Sequence, residues 1–236
     1  MTEGRPTADT PKDVAIYLWQ NMFMLDALVP HQILGLMPEL NVYTFARTTE
    51  PITSDTGMKL IADYDLESVP QPDILVVGGG ANPLSEMSDD TVIAALRKLG
   101  ESAELVTSVC DGALILAQAG LLDGYRATTH WAYADLLRQY PGVEVCAEER
   151  VVSDRSRMTG GGCTSALDFA FTLIAAVIGP EAAAAAELAF QYDPQPPIGT
   201  GTPAKASSEL IEYVQQWVAP LREGLDEFVA KAAVPV

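Results

Sequence analysis

The residue of this chain best placed for covalent chemistry is Cys110. A short apolar run, Leu105–Val109, ends at this cysteine, and a stretch rich in Ala and Leu starts directly after it. The segment therefore has the strand–turn–helix layout of a nucleophile elbow. Ser108 and Gly112, two positions before and after the cysteine, are small, as the tight turn of such an elbow requires. The tight turn and the positive end of the helix dipole would favour the thiolate, which is the reactive form. The same context fits a buried structural cysteine equally well.

Backbone amides that could support such a nucleophile follow a second apolar run, Asp73–Val77, which ends at the triplet Gly78–Gly80. In open α/β sheets, ligands bind beyond the carboxyl ends of the strands. The amides of Gly79 and Gly80, with the amide of Asp111 behind the elbow, could therefore stabilise negative charge that develops on a substrate. A glycine triplet is also simply a tight turn.

Three further side chains could take part in proton transfer. Asp26 lies in the otherwise apolar stretch Met22–Val29, where a carboxylate is costly unless it is paired or protonated. A protonated Asp26 could donate a hydrogen bond to a thiolate and act as a general acid. The chain has only two histidines, His31 and His130. A Cys110–His130 pair would be an activated nucleophile, yet a lone histidine in such a place is more often structural, and the same holds for His31.

Composition places these residues in a globular protein. With 236 residues, of which 48% are hydrophobic, the chain is long enough for one large domain. The net charge of −18 argues against binding to nucleic acids or anionic membranes. Three cysteines without a CxxC motif argue against a disulfide framework or a zinc site and suit a reducing cytoplasm. No metal site is expected from this cysteine pattern, and no membrane-spanning or signal segment is recognisable.

Strands and helices alternate along the chain, which predicts an α/β class with a mainly parallel sheet. Residues 1–12 are expected to form a flexible tail and residues 13–236 a single domain. The main predicted strands are Asp13–Trp19, Asn41–Arg47, Asp73–Val77 and Leu105–Val109. Helical spacing covers Met22–Met37 with a break at Pro30, Ser88–Leu99 with Ser88 as N-cap, Gly112–Ala119, Thr164–Ile178, Pro180–Phe190 and a final amphipathic helix, Ser207–Lys231.

Several segments in order resemble one known family. The segments are Thr107–Ala113, Ala119–Trp131 and Met158–Ala170, and they resemble the DJ-1/PfpI superfamily. Within it, Leu25–Leu34 and Gln191–Pro197 resemble segments of the isonitrile hydratase group. The match extends from about Val14 to Pro203.

The resemblance implies a flavodoxin-like three-layer sandwich, a homodimer and a cofactor-independent enzyme acting on a small molecule. It implies a cysteine nucleophile on the elbow with an acidic partner from the early helix, which here are Cys110 and Asp26. The amides of Gly79 and Gly80 become ligand donors, whereas His130 does not match an established base of this group. The implied reaction is hydration of an isonitrile to an N-substituted formamide. Glyoxalase-like carbonyl chemistry, or a redox sensor in which Cys110 is oxidised to a sulfinic acid, are alternatives.

One position departs from the pattern of the hydratase group. Asp111 follows the cysteine where threonine is usual. A second negative charge beside the sulfur would raise the pKa of the thiol and slow thiolate chemistry, unless the carboxyl group points away or is protonated. An aspartate at this position is also simply a good residue with which to start a helix.

Overall fold

The computed structural model describes residues 10–232. The strands are β1 (Lys12–Tyr17), β2 (Leu40–Ala46), β3 (Ile52–Thr53), β4 (Lys59–Leu60), β5 (Tyr64–Asp65), β6 (Ile74–Val77), β7 (Leu105–Val109), β8 (Tyr125–Ala127), β9 (Val143–Val145), β10 (Val151–Asp154) and β11 (Arg157–Gly160). The α-helices are α1 (Met24–Leu34), α2 (Leu84–Met87), α3 (Asp90–Ser102), α4 (Gly112–Gln118), α5 (Ala134–Leu137), α6 (Ser165–Val177), α7 (Pro180–Ala189), α8 (Ser208–Val218) and α9 (Leu225–Ala232). Over the described range, no helix combines the length and apolar character needed to cross a membrane.

Seven strands form the central sheet, in the order β10-β11-β7-β6-β1-β2-β5. Neighbouring strands are parallel throughout, except that β10 runs antiparallel to β11 at one edge. All four residues of β6 are buried, as expected for a central parallel strand that is covered on both faces. The predicted α/β class with a mainly parallel sheet is therefore confirmed.

Helices α1 to α7 pack in two groups around this sheet. One group consists of α1, α6 and α7, and the other consists of α2, α3, α4 and α5. A parallel sheet needs helices on both faces because its crossover connections and its apolar side chains lie on both. The expected flavodoxin-like three-layer sandwich is present.

The register of the central strands brings four loops to one edge of the sheet. Tyr17 of β1 pairs with Val77 of β6, and Val77 pairs with Ser108 of β7. On the other side of β7, Val109 pairs with Gly160 of β11. Because these four strands are parallel, the segments that follow them meet at their common carboxyl edge.

The chain near its N-terminus differs from expectation at two points. Strand β1 already includes Lys12, and residues 1–9 of the expected tail lie outside the described residues. Helix α1 also continues through Pro30, which is buried, so the prediction of a break there is wrong. Packing of α1 against α6 compensates for the backbone hydrogen bond that proline cannot donate.

The start of α3 differs from the prediction by one residue. Asp89, not Ser88, is the N-cap, since its carboxylate accepts hydrogen bonds from the amides of Thr91 at 2.8 Å and Val92 at 3.2 Å. Ser88 closes the preceding helix, where its hydroxyl donates to the carbonyl of Leu84 at 2.7 Å. A carboxylate is favoured at the helix start because it satisfies two free amides and carries the charge that the dipole attracts.

The prediction of one long C-terminal helix is wrong. Helix α8 ends at Val218, a 3₁₀ turn covers Ala219–Arg222, and α9 starts at Leu225. Pro220 within the turn cannot donate a backbone hydrogen bond. Gly224, at φ +75°, adopts the left-handed conformation that reverses the chain direction at low cost.

We expect the replacement Asp89→Ala to lower the free energy of unfolding by about 1 kcal/mol, because two helix-start amides lose their acceptor. Urea titration monitored by circular dichroism measures this loss. Asp89→Asn keeps the cap and removes only the charge that pairs with Arg47, so it should retain most of the stability. The matched control Ser88→Ala should cost less than about 0.5 kcal/mol. Equal losses at both positions would contradict the assignment of the cap.

Candidate active site

The backbone of the elbow is strained at Cys110. This residue has φ +59°, in the left-handed region that non-glycine residues enter at a cost of about 1–3 kcal/mol. Its amide donates to the carbonyl of Gly160 at 3.1 Å and to that of Gly161 at 2.8 Å. Its carbonyl accepts a hydrogen bond from the hydroxyl of Thr129 at 2.9 Å. The expected strand–turn–helix layout is therefore present, and the cysteine is held firmly with only 1% of its surface exposed.

The two glycine amides expected to bind a ligand are occupied by carboxyl groups. The amide of Gly79 donates to Oδ2 of Asp26 at 3.0 Å, and the amide of Gly80 donates to Oδ1 of Asp111 at 2.8 Å. A Cβ atom at Gly79 would lie 1.9 Å from Oδ1 of Asp111, so only glycine fits there. These amides position the two acids and are not free to act as donors to a substrate.

Asp26 and Asp111 are both fully buried, and their environment favours the protonated form. Burial raises the pKa of Asp26 well above its usual value, and charge on Cys163 raises it further, against the opposing hydrogen bond from Gly79. Burial also raises the pKa of Asp111, and the nearby carboxyl group of Asp26 adds to the effect. Among the described residues, Oδ1 of Asp26 and Oδ2 of Asp111 have no hydrogen-bond partner. Each of these oxygens can therefore carry a proton.

Cys163 is the residue that sequence reasoning missed. Its sulfur, the sulfur of Cys110 and a carboxylate oxygen of Asp26 all lie within 4.8 Å of one another. Cys163 follows β11, the neighbour of β7 in the sheet, so it reaches the same edge as Cys110. The signal was a strand that ends in glycines and is followed by a cysteine and a helix.

The thiols of Cys110 and Cys163 change each other's pKa in opposite directions. A hydrogen bond with Cys163, followed by burial and by the nearby carboxyl groups of Asp26 and Asp111, raises the pKa of Cys110 well above its usual value. The hydrogen bond with Cys110 lowers the pKa of Cys163. We assign the first negative charge to Cys163, because it is only partly buried and a charge there loses less hydration.

The same three residues are the candidate ligands for a metal ion, although the sequence predicted no metal site. Two sulfurs and one carboxylate oxygen, with water as a fourth ligand, would resemble a catalytic zinc site in number and type of donors. All three groups would have to lose their protons first, and the environment raises the pKa of both Asp26 and Cys110. Metal binding would therefore weaken strongly as the pH falls.

Neither histidine forms a described contact with the thiols or with Asp26. Burial lowers the pKa of His130 to about 4, so its ring is neutral at pH 7. Nδ1 of His130 accepts a hydrogen bond from the amide of Ala132 at 3.2 Å, which caps a short 3₁₀ turn. With Cys163, His130 lines a pocket of about 240 Å³. His31 is exposed on α1.

Comparisons with known proteins give a consistent picture. The family described as DJ-1/PfpI matches residues 12–176. An isonitrile hydratase of Pseudomonas putida is 36% identical over 220 residues, which are 93% of this chain and 96% of that protein. The HTH-type transcriptional regulator CdhR of Pseudomonas aeruginosa is 35% identical over 134 residues, which are 56% of this chain and 39% of the regulator. The crystal structure of a THiJ/PfpI family protein from Pseudomonas syringae, 30% identical, superimposes with a TM-score of 0.89 and covers 99% of this chain and 97% of that chain.

We expect the replacement Asp111→Asn to stabilise the protein at pH 8 and to leave it nearly unchanged at pH 4. At pH 4 the wild-type carboxyl group is protonated in the folded state and about half protonated in the unfolded state, so the effect on stability is still small. As the pH rises, the unfolded chain releases the proton while the folded site retains it. The wild type therefore loses stability up to its folded pKa, by about 1.4 kcal/mol per pH unit, whereas the amide cannot titrate.

Denaturant titrations at several pH values measure this difference, which should exceed about 1 kcal/mol at pH 8. The exposed Asp55 provides the matched control, and Asp55→Asn should parallel the wild type. If Asp111→Asn also runs parallel to the wild type across this range, the carboxyl group of Asp111 does not hold a proton in the folded protein.

Proposed function

Because the chain belongs to the DJ-1/PfpI family, we propose that it is a cofactor-independent enzyme of that family that hydrates isonitriles to N-substituted formamides. The similarity to the isonitrile hydratase of Pseudomonas putida extends over 93% of this chain and 96% of that protein, which supports this reaction over the family's other chemistries. The shorter match to the regulator, 39% of its length, offers weaker support for a regulatory role.

The observation that carries the proposal is a fully buried carboxyl group beside a strained cysteine. The carboxyl group of Asp26 lies within 4.8 Å of the sulfur of Cys110, and burial raises the pKa of that carboxyl group. An isonitrile carbon must gain both a bond to sulfur and a proton. A neutral acid and a thiolate at one place supply both. The terminal carbon of an isonitrile is slender, which suits a nucleophile with 1% exposure.

In the proposed mechanism, the thiol proton of Cys110 moves to the sulfur of Cys163, which lies within 4.8 Å, and the thiolate of Cys110 formed in this way attacks the terminal carbon of the isonitrile, so that a carbon–sulfur bond forms. Asp26 gives its proton to that carbon or to the nitrogen, which yields a thioimidate. Water then adds to the carbon. The carbon–sulfur bond breaks, the thiolate leaves, and the product is the N-substituted formamide. Protons from the added water return Asp26 to its acid form and complete the N–H bond, so the enzyme is regenerated.

The aspartate that departs from the hydratase pattern is compatible with this mechanism. Asp111 is fully buried, and its pKa is raised by burial and by Asp26. A neutral carboxyl group adds no full negative charge beside the sulfur, so the like-charge repulsion expected from the sequence is largely removed. In this proposal, Asp111 is an uncharged group that Gly80 positions.

We expect wild-type protein to convert cyclohexyl isonitrile to the corresponding formamide, detected by mass spectrometry. Cys110→Ala removes the nucleophile and should lower kcat by more than ~10³-fold. Asp26→Asn keeps the shape but cannot donate an acidic proton, and should lower kcat by ~10²–10⁴-fold. The control His31→Gln, on an exposed face of the same helix, should retain wild-type activity.

Asp111→Thr restores the residue usual in the hydratase group. Since the aspartate is neutral in the proposed state, this replacement should change the rate by less than about tenfold. Absence of formamide with wild-type protein at high concentration would rule out the proposal. Activity that appears only in Asp111→Thr would mean that the native enzyme carries out a different reaction.

We also propose that the protein is a cytoplasmic homodimer, with the exposed face of α8 as the contact. Leu210, Tyr213 and Trp217 lie at helical spacing on α8 and are 37%, 53% and 61% exposed. No residue of α8 is buried, and a stripe of this kind usually packs against a partner. All three cysteines of the chain are free, as suits a reducing compartment.

Sedimentation in 0.15 M salt should give a mass of twice 25.2 kDa. Trp217→Glu places a charge in the proposed contact and should shift the protein to the monomer, because a buried unpaired charge is costly. Leu188→Glu, at a residue that is 83% exposed on α7, is the control and should leave the dimer intact. A monomeric wild type would contradict the proposal.

A further inference from the structure

The two neighbouring thiols differ in their access to solvent. Cys163 lines the pocket of about 240 Å³, together with His130, Trp131 and Pro203 among others. Cys110 lies behind it and is 1% exposed. A small reagent that enters the pocket therefore meets the sulfur of Cys163 first.

The two sulfurs are also close enough to react with each other. They lie within 4.8 Å of one another, and both cysteines are free. Oxidation of the sulfur of Cys163 to a sulfenic acid would therefore place an electrophilic sulfur beside a second thiol.

From this geometry we propose that Cys110 and Cys163 form a redox pair, which a hydroperoxide converts to an intramolecular disulfide and a dithiol reductant restores. The thiolate of Cys163 attacks the terminal oxygen of the hydroperoxide. An S–O bond forms and the O–O bond breaks, which yields a sulfenic acid and an alkoxide that takes up a proton. Sulfur is oxidised by two electrons, and the peroxide is reduced to an alcohol or water.

The second step closes the disulfide. The sulfur of Cys110 attacks the sulfenic sulfur of Cys163, the S–S bond forms and the S–O bond breaks. The departing hydroxide takes the thiol proton of Cys110 and leaves as water. Because two backbone carbonyls hold the amide of Cys110, the approach of the sulfurs requires movement of the turn at residues 161–164, which precedes α6.

Formation of this disulfide would block the nucleophile of the proposed hydratase and protect it from irreversible oxidation. The pair itself does not depend on which substrate Cys110 attacks, so this inference goes beyond the proposed function. The third cysteine, Cys146, lies at the end of β9, and its sulfur contacts the carbonyl of Glu144 at 3.8 Å. It provides a matched control within the chain.

The test treats the reduced full-length protein with one equivalent of hydrogen peroxide in the presence of a chelator, followed by intact mass measurement and non-reducing peptide mapping. Wild-type protein should become lighter by two hydrogen atoms, as a monomeric chain, and titratable thiols should fall from three to one. The map should link the peptides of Cys110 and Cys163. Dithiothreitol should reverse the change.

The variant Cys146→Ser should behave like the wild type, with two thiols falling to none. Cys163→Ser should form no disulfide and should lose thiols at least ~10-fold more slowly, because its remaining site thiol, Cys110, is only 1% exposed and is therefore poorly accessible to peroxide. Oxygen adducts on wild-type protein without loss of two hydrogens, or a disulfide that includes Cys146, would overturn the proposal. Since mass is the readout, failure of isonitrile hydration would leave this result unaffected.

Discussion

Two backbone amides in the loop after β6 hold the carboxyl groups on which the site depends. Gly79 donates to Asp26 and Gly80 donates to Asp111, and both acids are fully buried. Each hydrogen bond favours the charged form, yet burial outweighs it and raises the pKa of both carboxyl groups. The amides therefore fix where the acids lie, while burial favours their protonated forms. An acid that burial keeps in its neutral form adds no full negative charge beside a thiolate, so the two can share one site.

The sequence predicted those features of the site that are set by local structure. The elbow at Cys110 could be identified because strand, turn and helix are contiguous in the chain. Asp26 could be selected because a carboxylate in an apolar helix is unusual, although its partner came from the family resemblance. The sequence did not predict the N-cap at Asp89 or the break at Pro220. At such places neighbouring residues can play the same structural role, and the local pattern does not decide between them.

Features set by strand order could not be predicted in the same way. Cys163 meets Cys110 only because β11 lies beside β7 in the sheet, and nothing in the spacing of the two residues indicates this contact. The glycine amides were correctly placed at the carboxyl edge, but their acceptors depend on the orientation of Asp26 and Asp111. Sequence patterns do not specify such side-chain directions. Similarity to both a hydratase and a regulator shows in addition that this fold does not determine a function by itself.

The site is assembled from segments that are far apart in the chain, which has a consequence for how the protein folds. The hydrogen bond from Gly79 to Asp26 spans 53 positions, and that from Gly80 to Asp111 spans 31. Neither can form until β1, β6 and β7 have paired, and closing long loops delays such contacts. A nascent or partly folded chain would therefore carry ordinary ionised carboxylates and an unstrained cysteine. The site around Cys110 would therefore be assembled only once the central strands have paired, whereas the same cysteine in an unfolded chain is an ordinary, accessible thiol.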